Sequence, residues 1–249
     1  MRSVREVMGM PVTVEVVDPG AEEAVEEAFA DFRLLDRTFS PFLAGSAVSR
    51  INRGELEVEA AGPLVAQAVD LCRRYEQATH GYFSAWLDGR FDPSGLVKGW
   101  AIDRAASILH RHGFHNFFVD AAGDVQTRGH KVGGEPWRVG VRHPLERDKV
   151  ACVILAADLA VATSGTYEKG DHIVDPHTGR PARELLSFTV VGPDILQADV
   201  FATAAFAMGR RGLDFVLGVE GYEAFAIGQD LVATWTPGFD DYREGLPTR

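Results

Sequence analysis

This chain has little that would cross-link it, anchor it in a membrane or tie it to a common nucleotide signature. Only two cysteines, Cys72 and Cys152, occur in 249 residues, each inside an apolar pattern. Buried free thiols account for them better than a disulfide does. No run approaches the roughly 18 apolar residues of a membrane span. The opening MRSVREVMGMPVTVEVV has neither the continuous apolar core nor the cleavage pattern of a signal peptide, so a cytoplasmic location is expected. Positive charge is short as well. A formal net charge of −11 and a pI near 5.2 argue against nucleic acid or an anionic membrane as partner. They leave room for an anionic small ligand, because local donors and a metal can reverse the sign inside a pocket. GxGxxG, GxSxG, HExxH, CxxC and GxxxxGK[ST] are all missing. That sets aside the usual nucleotide-fold, hydrolase-elbow, zinc and phosphate-loop readings.

What is present is an ordinary globular composition, 46% hydrophobic and 24% charged. MGMPVTVEVV alternates up to the turn at Asp18-Pro19-Gly20 and reads as the first strand. Residues 21–36 carry Val25, Ala28, Phe29, Phe32 and Leu35 at helical spacing. A second helix is expected over about 63–79, opened by Pro63, and a third from FDPSGLVKGWAID to Gly113. FFVDAAGDV, WRVGV, VACVILAA, LAVA and LSFTVVG read as short strands. A helix over 196–208 follows, then a further one from Gly212, two closing strands (EAFAIG and LVATW) and a tail of about a dozen residues. Strands and helices lack regular βα alternation, so the fold class expected is α+β. With no internal repeat and no linker, residues 1–249 read as one domain.

Chemistry-bearing residues gather in three segments. TSGTYEKGDHIVDPHTG, residues 163–179, is rich in hydroxyls, carboxylates, glycine and histidine, as loops on a rigid scaffold often are. If its HIVD tetrapeptide is extended, His172 can face a cleft while Ile173 anchors the opposite side. In ADVFATAAFAMG, Asp199 and Thr203 are four apart and share a helical face. They offer the hard oxygen ligands that magnesium takes. Taken alone, an ordinary helix, with its dipole and a threonine bonded to its own backbone, is the commoner source of such a pair. In FDPSGLVKGWAID, Lys98 is a compact cation followed by Gly99, where backbone can approach a ligand closely. A surface lysine has the same appearance.

None of these segments is specific singly, but their order is. MGMPV, SPFLAGSAVSRIN, FDPSGLVKGWAID, DAAGDV, WRVGVRHP, VATSGTYEKGDHIVDPHTG and SFTVVGPDILQADVFATAAFAMG together resemble the ApbE family of flavin transferases, over residues 8–209. The resemblance implies two closely fused α/β subdomains with an FAD and metal site between them. It implies transfer of FMN from FAD to a Thr or Ser of a flavin-acceptor protein through a phosphoester, with magnesium and release of AMP. Asp199 and Thr203 match the family's metal-binding acid and hydroxyl, and Gly95 the position whose carbonyl joins them. Lys98 matches the flavin-contacting lysine, and Asp103 and Asp124 match acidic positions lining the FAD site. Met8, Phe42 (a stacking aromatic), Gly81, Tyr82, Phe83 and Thr163 complete the cofactor set. His172 matches the histidine proposed to deprotonate the acceptor hydroxyl. Asp175 and Pro176 are expected to fix the turn behind it, and His177 to be a surface residue.

The chain departs from the family pattern at three points. Phe42 stands where Tyr is common, Gly81-Tyr82-Phe83-Ser84 replaces GxFD, and Ala122-Gly123 replaces a double glycine. Two other outcomes fit the same motifs: an FAD pyrophosphatase releasing FMN and AMP, and a protein that binds FAD without turnover.

Overall fold

The computed structural model describes residues 1–87, 89–146, 148–166 and 173–245. His172 lies outside the described residues. The chain begins with β1 (Arg2–Val7), β2 (Met10–Val16), α1 (Glu22–Phe39), α2 (Ala47–Asn52) and α3 (Pro63–Ala78). A small hairpin, β3 (Trp86–Leu87) and β4 (Arg90–Phe91), precedes α4 (Ser94–Arg111), β5 (Phe117–Ala121) and β6 (Asp124–Arg128). Next come β7 (Trp137–Arg142), β8 (Val150–Ala156), β9 (Ala160–Gly165), and the short pair β10 (Val174–Asp175) and β11 (Arg180–Pro181). The chain continues through β12 (Leu185–Gly192), α5 (Ile195–Met208), α6 (Gly212–Leu217), β13 (Glu223–Gly228) and β14 (Ala233–Trp235).

Eight strands form one sheet in the order β1-β2-β5-β6-β9-β12-β13-β14, with antiparallel pairing throughout. The fold is therefore α+β, as expected. Two halves meet in that sheet at the seam between β6 and β9, where only Val125↔Val161 and Gln126↔Ala160 are in register. Helices cover one face over the larger core, and the β7–β8 ribbon covers the other over a second core. Alternation along each strand sorts the side chains. Ala160 and Ala162 of β9 belong to the helix-side core and Val161 to the ribbon-side core.

Local sequence explains the helices that frame the site. Pro63 opens α3 after Gly62, whose φ of 92° only glycine adopts freely. Helix α5 is apolar around most of its circumference and sits within the helix-side core, with all its residues buried except Gln197 and Thr203. It is held at its start by the Asp194 side chain, which accepts a hydrogen bond from the Gln197 N–H at 2.8 Å.

Three expectations differ from the structure. The first strand is β2, and another strand, β1, precedes it as the edge of the sheet. Its outward face carries Arg2, Val4 and Glu6, while Arg5 on the other face lies over the Phe29 ring and pairs with Glu26, so no apolar alternation marks this edge strand. Met8 and Gly9 form the two-residue turn between them, with φ of 57° and 72°. The polar segment after Ala162 is only partly loop, since Thr163–Gly165 finish β9 and β10–β11 form a hairpin. The closing residues are not a free tail. Pro237–Tyr242 form a 3-10 turn that drives Phe239, fully buried, into the ribbon-side core.

Candidate active site

Antiparallel pairing brings distant motifs to one end of the sheet. The Met8-Gly9 turn, the Ala122-Gly123 turn between β5 and β6, the end of β9 and the start of β12 all lie there, as the registers Val7↔Met10, Ala121↔Asp124 and Ser187↔Gly165 require. Helix α5 leaves the opposite end after Gly192 and runs back, carrying Asp199 and then Thr203 toward Ser164.

The centre is a buried charge cluster at the seam. Lys98 Nζ forms a close ion pair with Asp124 Oδ2 and lies 3.4 Å from Asp199 Oδ1. Asp124 and Asp199 are both buried. Asp124 Oδ1 accepts the Thr163 N–H at 2.9 Å, and Asp199 Oδ2 accepts the Gly99 N–H at 2.8 Å. Beyond the Lys98 charge, Asp124 Oδ2 has no hydrogen-bond donor among the described residues. Burial raises the Asp199 carboxyl above the usual range; Lys98 opposes this, and the Asp124 charge adds to it. Burial alone would lower the Lys98 ammonium, but Asp124 and Asp199 outweigh it and hold it above its ordinary value.

Gly99 is where α4 crosses α5. An added Cβ would lie 2.8 Å from Asp199 Cβ and 3.0 Å from the Ile195 carbonyl oxygen. The close approach expected at Gly99 is thus to a neighbouring helix. The Gly99 N–H also reaches across to Asp199 Oδ2 on that helix.

The other candidates fall into groups. Phe83, buried, packs where a Cβ on Gly95 would sit, 3.3 Å from its ring, so the 81–83 loop abuts the first turn of α4. Tyr82 OH accepts from Arg211 at 3.0 Å, and its ring meets His177 at 4.5 Å. His177 is exposed, yet it donates from Nε2 to the His80 carbonyl at 3.0 Å, so it joins the β10–β11 hairpin to that loop. Asp175 holds the hairpin turn by accepting from the His177 N–H and the Thr178 hydroxyl. Ile173 is buried in the helix-side core. Met8 packs partly against the same core. Phe42, 93% exposed, projects from the loop between α1 and α2.

Two side chains stand apart from the cluster. Thr163 contributes its backbone N–H, while its hydroxyl bonds Thr189 at 2.9 Å on the ribbon side of the sheet. Asp103 lines a cavity of about 630 Å³ with His110, His115, Arg128 and Asp158, which Lys98, Asp124 and Asp199 do not line. Ser164 was missed in the sequence. It faces the helices and its hydroxyl lies 3.2 Å from that of Thr203. The alternation with Ala160 and Ala162 was the signal that could have found it.

Two buried carboxylates, balanced by a single ammonium and flanked by the hydroxyls of Ser164 and Thr203, leave an oxygen-rich site with excess negative charge. That donor set suits a hard divalent ion such as magnesium. No group of three His, Cys, Asp or Glu poised for a metal occurs among the described residues. No helix among them is long and apolar enough to cross a membrane.

Fold and site together define an α+β protein whose two halves close over a buried, oxygen-lined charge cluster. The chain belongs to the ApbE family, whose model matches residues 8–88 and 87–226. It is 32% identical over 162 residues to the FAD:protein FMN transferase of Vibrio cholerae serotype O1, covering 61% of this chain and 47% of that protein. To the Salmonella typhimurium enzyme of the same name it is 29% identical over 181 residues, covering 67% and 52%. The chain spans about half the length of the curated relatives it matches. Among solved structures it superposes on the flavin transferase ApbE from Vibrio cholerae with a TM-score of 0.83, at 22% identity over 97% of this chain and 98% of that one. The ApbE protein from Thermotoga maritima gives 0.83 at 24% identity, over 98% and 99%.

Proposed function

We propose that this chain transfers the FMN half of FAD to a Thr or Ser hydroxyl in a motif of an acceptor protein, releasing AMP. The observation that carries the reading is the buried Lys98–Asp124–Asp199 cluster beside the hydroxyls of Thr203 and Ser164, in a chain of the ApbE family. The acceptor oxygen forms the new phosphoester bond as the bond from that phosphorus to AMP breaks. Asp199, Thr203 and the Gly95 carbonyl would hold magnesium, with the Gly99 N–H donating to Asp199 Oδ2. Bound there, the ion supplies charge neutralisation for the pyrophosphate, the largest demand of phosphoryl transfer.

The chain's own residues do the rest. Lys98 offsets the charge of Asp124 and Asp199 and presents a cation to the ligand. Ser164 orients the Thr203 hydroxyl. The 81–83 loop, Met8 and Phe42 offer apolar surface to the flavin. The proton of the acceptor hydroxyl goes to His172, assigned on the HIVDP motif.

The test incubates the chain with FAD, magnesium and an acceptor bearing a Ser/Thr flavinylation motif, and reads added FMN by mass spectrometry. AMP with free FMN and an unlabelled acceptor identifies a hydrolase instead, and bound FAD with neither product identifies a binding protein. The His172→Ala variant should transfer FMN about 10²–10⁴-fold more slowly with FAD binding retained. Undiminished transfer removes His172 from its role.

A further inference from the structure

The charge cluster beside the proposed metal site draws its acids from elements that no short connection ties together. Asp124 is on β6 in the first half of the chain, and Asp199 and Thr203 are on α5 in the second. At the seam between the halves two residue pairs are in register, and the Thr127 N–H donates to the Leu159 carbonyl at 2.8 Å beyond them. Helix α5 is held to α4 through the Gly99 N–H and to β9 through Ser164, and its level against β6 depends on a side chain of that strand.

Gln126 occupies that position. It follows Asp124 by two residues on β6, so both side chains point to the helix side. It is 1% exposed. Its Oε1 accepts the N–H of Ile195, the first residue of α5, at 3.1 Å, and its Nε2 donates to the Thr127 carbonyl at 3.1 Å. The two bonds demand opposite ends of the amide, so its orientation is determined. The Ile195 N–H is one of those that a helix cannot satisfy internally.

Spacing completes the argument. Two residues along a strand advance about 6.7 Å, and four along a helix about 6 Å. Strand and helix run in opposite directions here, so Gln126 meets Ile195 at the level where, one turn on, Asp124 and Asp199 share Lys98. The two contacts act as paired rungs between β6 and α5.

We infer that Gln126 is a positioning residue, whose buried amide sets the axial register of α5 and thereby the separation of Asp199 and Thr203 from Asp124 and Lys98. The inference rests on the metal-dependent FAD site proposed above.

Two variants remove the bond from opposite sides. Gln126→Met keeps the length and deletes the amide. Ile195→Pro deletes the N–H at a first helical position, where proline is tolerated. Asp194 before it is already extended, at φ −129° and ψ 123°, as a residue preceding proline should be. Phe239→Leu, in the ribbon-side core, is a control for lost stability alone. The measurement is the magnesium concentration giving half-maximal FAD binding by flavin fluorescence on the whole chain, with thermal unfolding alongside. Both register variants should raise that concentration at least tenfold, the range found when partners behind metal ligands are removed, and Phe239→Leu should leave it unchanged. Values within twofold of wild type in whichever register variants fold, or an equal shift in Phe239→Leu, overturn the inference. Wild-type chain that binds no FAD in a magnesium-dependent way overturns the functional reading itself, and this inference with it.

Discussion

Replacing Gly99 by alanine sets two well-known tendencies against each other. Helix propensity favours alanine over glycine by about 1 kcal/mol in a helix interior, so a sequence-only view expects Gly99→Ala to stabilise α4. The structure predicts the reverse. The new Cβ would meet Asp199 Cβ at 2.8 Å, its Oδ2 at 3.0 Å and the Ile195 carbonyl oxygen at 3.0 Å. Carbon atoms prefer about 3.5–4.0 Å. Two of the three neighbours are backbone or a Cβ bonded to it, so no flexible tip can swing aside. The helices must separate by several tenths of an ångström, an overpacking that costs about 1–3 kcal/mol. Separation also stretches the Gly99 N–H bond to Asp199, a charged hydrogen bond of about 1.5–3 kcal/mol. After the propensity gain, a net loss of about 2 kcal/mol remains, or roughly 4–8 °C in Tm for a chain of this size. Proposed transfer activity should fall as well, by less than the roughly 10²-fold that a 1 Å misplacement costs at a reacting centre. Differential scanning calorimetry and the FMN-transfer assay read the two effects. A Tm equal to or above wild type, with transfer intact, refutes the packing argument. Gly95→Ala is the comparison for stability, since its Cβ meets only the Phe83 ring, at 3.3 Å.

Lys98→Met leaves Asp124 and Asp199 buried together without their cation, so stability should fall by about 3–5 kcal/mol, and a Tm within 2 °C of wild type counts against the cluster's coupling. Asp103 is raised to about 6, chiefly by burial, with the Asp194 charge adding and Arg128 and Arg104 opposing. A folded value above the unfolded one means that its contribution to stability is lost as pH rises from about 4 through about 6. Asp103→Asn should therefore raise stability by about 1 kcal/mol at pH 7.5, after discount for partial exposure, and the gain should shrink toward pH 4; a gain independent of pH rejects the cause. Phe239→Ala empties a fully buried site and should cost about 3–5 kcal/mol in chemical denaturation, whereas a truly free tail would tolerate it.

Much of the fold is legible locally because periodicity and punctuation are local. The spans Pro63–Ala78, Ser94–Arg111 and Ile195–Met208 agree with the apolar spacing and with their Pro and Gly boundaries to within a residue or two. β1 and the Phe239 turn were not legible in that way. The first carries charge on both faces, with Arg5 turned over Phe29, and the second is defined by a core assembled from distant strands.

By itself, the order of motifs along the chain settles the family and names Asp199, Thr203, Lys98 and Asp124 as candidates. Residue types and their succession survive in one dimension. Only the tertiary structure decides what those residues do to one another. Asp124 and Asp199 are 75 positions apart in sequence, and antiparallel pairing plus the Gly99 crossing brings them to one ammonium. The same pairing turns the Thr163 hydroxyl away and Ser164 inward, because a strand reverses face at every residue. It also places Gln126 under the first residue of α5, a contact between groups with no signal in either local segment.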